Sequence, residues 1–113
     1  MAKVTAQAIV TEARGLLSDT IVPYRWSDNT LLSYLLAGEL LTVTNHSESQ
    51  YDTDCTNSIP VLLAIGGTTT LCERWQSPLA FYISFRALME DSDDENNVKL
   101  AEEYRKIYEA DML

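Results

Sequence analysis

The spacing that most resembles working chemistry is Asp91-Ser92-Asp93-Asp94-Glu95-Asn96-Asn97-Val98-Lys99-Leu100-Ala101-Glu102. Its acids fall at positions one, three, five and twelve of a calcium-binding EF-hand loop, and Val98 fills the apolar position eight. Two positions break the pattern. Asn96 replaces the glycine that makes the sharp turn, and Lys99 brings positive charge to position nine. The segment also starts at a helix end and runs into helical sequence. Its acids are therefore expected to cap the following helix and complement its dipole.

Other chemistry finds even less support. His46 is the single histidine, and any Ser/His/Asp or Cys/His scheme would have to use it from a polar loop. Cys55 and Cys72 have no His/Cys pair at metal spacing beside them. Two reduced thiols are the default, with a disulfide left open. Gly66-Gly67 is followed by no Lys-Ser or Lys-Thr, so it is not a phosphate loop. The sequence predicts no enzyme, no cofactor and no resident metal.

The elements that position these residues are helical. The chain has 113 residues, 46% hydrophobic and 22% charged, enough for one domain with a modest core. Ala6, Ile9, Val10, Ala13, Leu16 and Leu17 form one apolar stripe and predict a helix over about 3–18. Pro23 disfavours helical geometry at Val22 and marks a break. Leu31, Leu32, Leu35, Leu36, Leu40, Leu41 and Val43 predict a second helix over 28–44, broad enough to be contacted on two sides and the candidate centre of the core. Residues 45–70 read as irregular, with room for a small β-hairpin, and Thr68 to Trp75 could add a helical turn or two. Ser77-Pro78 signals a third helix over 78–91. Val98, Ala101, Tyr104, Ile107 and Tyr108 share a face of a fourth over 95–110, whose opposite face pairs Glu102 with Arg105 and Lys106. The expected fold is mainly α: a single four-helix bundle-like domain spanning 1–113 with an irregular middle.

Charge limits the partners. The net charge is −9, and from Glu90 to Leu113 nine acids face three bases. A nucleic-acid binder needs a basic footprint that this chain lacks. The acidic end is either a solvated helix face or a surface that meets a basic partner or repels DNA. The longest apolar stretch, Leu31 to Val43, is interrupted by Ser33, Gly38, Glu39 and Thr42, so no membrane span is expected. Residues 1–7 lack the apolar core of a signal peptide, and the product is expected inside a cell or in a particle assembled there.

Assembly is where the residues point. Tyr24-Arg25-Trp26-Ser27-Asp28 leads into the second helix, with Ser27 or Asp28 able to cap it. Arg25 and Trp26 sit just ahead of the helix and are of the types that anchor one protein on another. Trp26, like Trp75, could instead staple its helix start to the core. Arg86, between Phe85 and Ala87 on an apolar helix, must be paired, by Asp91 or another acid, or reach a surface. Tyr104 and Tyr108 complete the interface candidates.

In order along the chain, Tyr-Arg-Trp-Ser-Asp, a leucine-rich helix, Ile59-Pro60, Phe85-Arg86-Ala87-Leu88 ending in Glu90-Asp91-Ser92-Asp93, and a last helix rich in alanine and tyrosine resemble the small head–tail connector, or adaptor, proteins of tailed bacteriophages. The resemblance spans nearly the whole chain and fails at Tyr51–Ser58 and Leu71–Trp75. It implies a virion protein assembled in the bacterial cytoplasm and placed at the head–tail junction. It implies a homo-oligomeric ring of about twelve copies, bound to the portal protein and to the tail or nozzle. DNA would pass the channel without specific binding. The alternatives are a tail-completion or neck protein of similar build, or a calcium-binding helical protein using Asp91 to Glu102.

Overall fold

Thr5 decides where the first helix starts. Its backbone is extended (φ −85°, ψ 150°) and its hydroxyl accepts from the Ala8 N–H at 3.2 Å, a helix N-cap. In the computed structural model, which describes residues 3–19, 25–45, 61–90 and 95–112, the order is β1 (Lys3–Thr5), α1 (Ala6–Leu17), α2 (Asp28–Asn45), β2 (Thr68–Cys72), a 3₁₀ turn (Glu73–Trp75), α3 (Gln76–Glu90) and α4 (Glu95–Met112). The fold is mostly helical, with four helices and one small antiparallel β-pair.

The periodicity placed the first helix start at Lys3, three residues too early. Lys3–Thr5 instead pairs antiparallel with β2, Lys3 opposite Cys72 and Thr5 opposite Thr68, with an irregular register between. Thr69 supports that irregularity: its hydroxyl donates to the Val4 carbonyl at 2.8 Å and accepts from the Leu71 N–H. The small β element is thus not a local hairpin of the middle segment but a long-range pair. Residues 46–60, with His46 and Cys55, lie outside the described residues. The segment from Thr68 to Trp75, read as helical turns, is strand and then one 3₁₀ turn. Gly67 joins the ribbon to α1, its carbonyl accepting from the Ala6 N–H at 2.9 Å. A Cβ at Gly67 would sit 3.1 Å from the Ala64 carbonyl oxygen and from Leu63.

α1 ends on Ser18 in the left-handed region (φ 56°, ψ 33°). Ser18 N–H donates to Gly15 O at 3.2 Å and Asp19 N–H to Arg14 O at 2.9 Å, a Schellman closure with serine where glycine is usual. α3 starts at Gln76, so Ser77 lies inside the first turn and does not cap it; Pro78 is tolerated there because first-turn N–H groups have no helical acceptor.

α3, not α2, is the central helix: it packs on α1, α2 and α4. Leu79, Ala80, Tyr82, Ile83, Phe85, Ala87 and Leu88 are all buried, so α3 is covered nearly all round. α2 buries one stripe only (Leu31, Leu32, Tyr34, Leu35, Gly38, Glu39, Thr42). Gly38 lets α2 approach α3, since a Cβ there would stand 3.1 Å from Leu79 and Tyr82. In its last turns Glu39 is 1% exposed while Leu40 and Leu41 are each 43% exposed. The leucines expected to pack on both sides of α2 therefore face outward at its C-terminal end.

Candidate interface site

Four of the five residues that suggested an interface fall in two places, and Tyr104 lies apart from both. The first is a clasp between the end of α1 and the start of α2. Arg14 follows Ala13 on the buried stripe of α1, and its side chain is only 8% exposed. Its guanidinium donates to Asp19 Oδ2 at 2.7 Å, to the Trp26 carbonyl at 3.0 Å and to Asp28 Oδ1 at 2.6 Å. Asp19 also accepts from the Arg25 and Trp26 backbone N–H groups at 2.8 and 3.3 Å. A buried charge is tolerated only when paired and hydrogen-bonded, and both conditions hold here.

Every residue of Arg-Trp-Ser-Asp has a place in this clasp. Arg25 lays its guanidinium over the Trp26 ring, 5.0 Å from its centre. Trp26 sends its indole into the core. Ser27 caps α2, its hydroxyl accepting from the Thr30 N–H at 3.2 Å. Asp28 is the first helical residue and holds Arg14. Trp75 repeats the device: its ring is buried and Arg74 stacks on it at 4.7 Å. Both tryptophans thus staple a helix start, and Arg25 is the exposed part of the first pair. Sequence reading missed Arg14 and Asp19. The signal was available, since Arg14 interrupts an apolar stripe four residues after Val10.

The second place is a groove where the end of α2 meets the second half of α3 and α4. An open, shallow depression of about 530 Å³ is lined by Leu41, Tyr82, Phe85, Arg86, Met89, Arg105, Tyr108 and Glu109. A smaller one of about 210 Å³ adjoins it through Met89 and Arg105 and adds Val98, Ala101 and Glu102. Tyr82, Phe85 and Tyr108 pack edge-on or tilted, with ring centres 5.1 to 5.8 Å apart. Arg86 donates to Tyr82 Oη at 2.7 Å and lies over the rings of Tyr34 and Tyr82 at 5.4 and 5.6 Å. Its expected partner Asp91 lies outside the described residues. At the rim Arg105 bonds Glu109 at 2.9 Å, whereas sequence spacing paired it with Glu102.

Burial pushes the Tyr108 hydroxyl up to about 12, with Tyr82 adding to it. Tyr34 also rises to about 12, through burial first, then the Glu90 carboxylate, against the opposing charge of Arg86. These phenols stay neutral near neutral pH. Tyr104 stands apart from the groove. Its hydroxyl donates to the Leu16 carbonyl at 2.8 Å and its ring meets Phe81 edge-on, tying α4 to α1 and α3. The structure thus brings Arg86 and Tyr108 together and leaves Arg25, Trp26 and Tyr104 elsewhere.

Among the described residues no three His, Cys, Asp or Glu side chains gather as a metal-ligand set. α4 is already helical at Glu95, position five of the calcium-loop spacing, where an EF-hand would still be loop. Among them, too, no helix is long and apolar enough to cross a membrane. What the groove offers is apolar and aromatic surface ringed by charge, a composition suited to holding another protein. The chain matches no family model, no curated protein and no solved structure.

Proposed function

We propose that this protein is a structural subunit of a tailed-phage virion: a head–tail adaptor whose copies stand side by side in a ring between the portal and the tail or nozzle. The observation that carries the reading is the exposed apolar face at one end of the bundle. There Leu41, Met89 and Val98 surround an aromatic floor, while Glu39 and Thr42 of α2 point inward. The last turns of α2, which bury Glu39 and Thr42 and expose Leu40 and Leu41, offer that surface to a partner.

Three further properties support the reading. The molecule is flat, with extents of 44 × 30 × 18 Å, a shape that stacks laterally around an axis. The Arg14 clasp and the two Arg-Trp staples fix the helix starts, giving a rigid block. The net charge of −9 leaves DNA free to slide, because few phosphates would be neutralised and few counterions released. A ring docked on a portal inherits its cyclic symmetry, hence about twelve copies. In this role the protein needs neither cofactor nor catalysis, and it resides at the virion neck.

Co-sedimentation with purified portal rings tests the proposal. Stoichiometric binding, seen in negative stain as an added tier below the portal, is expected. A protein that never joins the portal would refute the adaptor role, and capture by isolated tails alone would move it to the tail-completion class.

A further inference from the structure

We propose, independently of the adaptor reading, that α4 is a latch: it opens from α3 as one unit while the rest of the fold stays assembled, and in opening it uncovers an aromatic face of α3. The molecule is tied together unevenly. α1, α2, α3 and the β-ribbon are joined at points that involve no residue of α4. The Arg14 clasp sets α2 on α1. β1 pairs with β2, and the Gly67 carbonyl accepts from Ala6 at the start of α1. Gln76 of α3 donates to Glu12 of α1 at 3.1 Å.

α4 is attached differently. It packs on α3. The helix has 18 residues, yet among its described side chains only Ala101 and Tyr108 are buried, at 4% and 7% exposure. Leu100 and Tyr104 add half-buried contacts. Two tyrosines hold the helix down. The Tyr108 ring leans on Tyr82 and Phe85. The Tyr104 ring meets Phe81, and its hydroxyl donates to the Leu16 carbonyl of α1 at 2.8 Å. Elements with few buried contacts open at lower free energy than the core they cover.

The face beneath is built to persist. Phe81, Tyr82 and Phe85 belong to α3, which α1 and α2 cover from other sides. Arg86 donates to the Tyr82 hydroxyl at 2.7 Å and lies over Tyr34 of α2. Neither contact uses α4. The opened state is thus a folded block with those rings uncovered, and the released helix is only marginally stable alone.

Native-state hydrogen exchange of the full chain, followed by NMR in rising urea, tests the latch. Backbone N–H groups from Leu100 to Tyr108 should share one protection value and one urea slope. That protection should lie at least about thirtyfold below the best-protected groups of α1 and α3, with a smaller slope, because less surface is exposed. Two variants separate the openings. Thr69→Val removes the hydroxyl bonded to Val4 in the ribbon, and should speed exchange in α1 and α3 about tenfold while leaving α4 unchanged. Tyr104→Phe should speed exchange in α4 and in the core by the same factor, about three- to tenfold, because the closed state is the start of both openings. The proposal is overturned if α4 matches α1 and α3 in protection and slope. Groups in α4 that exchange one by one without urea dependence would overturn it too, since that is fraying. So would a Thr69→Val effect carried equally into α4, or a Tyr104→Phe chain whose α4 exchanges as before.

Discussion

Replacing Asp19 by alanine removes one acceptor from three donors at once: the Arg14 guanidinium and the backbone N–H groups of Arg25 and Trp26. Arg14 keeps Asp28 and the Trp26 carbonyl, but Asp28 is 47% exposed and only partly offsets the buried charge. Removing one partner of a buried pair costs about 3–5 kcal/mol, and the remaining contacts place this case near about 3 kcal/mol. Arg14→Met should cost less, about 2 kcal/mol, since it leaves a carboxylate that still accepts two backbone N–H groups. The double variant should show a coupling of about 2 kcal/mol. Urea denaturation followed by circular dichroism reads these values. With a slope of about 1–3 kcal/mol per molar, the Asp19→Ala midpoint should fall by about 1–3 M. The loss should persist at high salt, because buried pairs are screened little. A cost below about 1 kcal/mol, a coupling near zero, or a loss that vanishes in salt would refute the clasp as the device that sets α2 on α1.

Three other outcomes follow from particular positions. Ser18→Gly should raise stability by about 0.5–1 kcal/mol in the same denaturation assay, because it relieves a left-handed residue whose hydrogen bonds are backbone only. Gly38→Val should lower it by about 1–3 kcal/mol, since even a Cβ there meets Leu79 and Tyr82 at 3.1 Å. Tyr34 and Tyr108 hold their protons to about 12 in the fold against 10.0 when unfolded. The folded state therefore binds more protons between those values. Their contribution is fully present below pH 10 and is lost as pH rises toward 12. Stability measured against pH should decline across that window and less steeply in Tyr108→Phe; an unchanged slope would contradict the burial of Tyr108.

The helices were legible because their signals are local. Apolar spacing placed α2 and α4 within two residues of their ends, and of the two cap candidates, Ser27 and Asp28, Ser27 is the one that caps α2. Long-range pairing was not legible. Nothing in Lys3-Val4-Thr5 announces a strand partner at Thr68–Cys72, because β-pairing depends on which segments the helices bring together. The rank of the helices was misread for a related reason. Counting leucines favoured α2, but packing is decided by coverage on all sides, and α3 achieves it with small and aromatic residues. The site was half legible. Arg86 and Tyr108 were marked by type, whereas Trp26 was ambiguous because anchoring a core and anchoring a partner require the same side chain. The structure buries the Trp26 side chain in the core, at 8% exposure.

The C-terminal half of α2 is where stability and function part company. If monomer stability alone set this helix, Leu40 and Leu41 would sit on the stripe continued by Leu31 and Leu35, and Glu39 would be in water. Instead Glu39 is 1% exposed and not without a partner in the fold, while Leu40 and Leu41 are each 43% exposed. In the proposed assembly the outward leucines would be covered. Exchanging Leu40 or Leu41 for a polar residue should therefore leave folding stability within about 0.5 kcal/mol, as for other exposed positions. Loss at the Leu41 edge of the groove should appear in assembly instead.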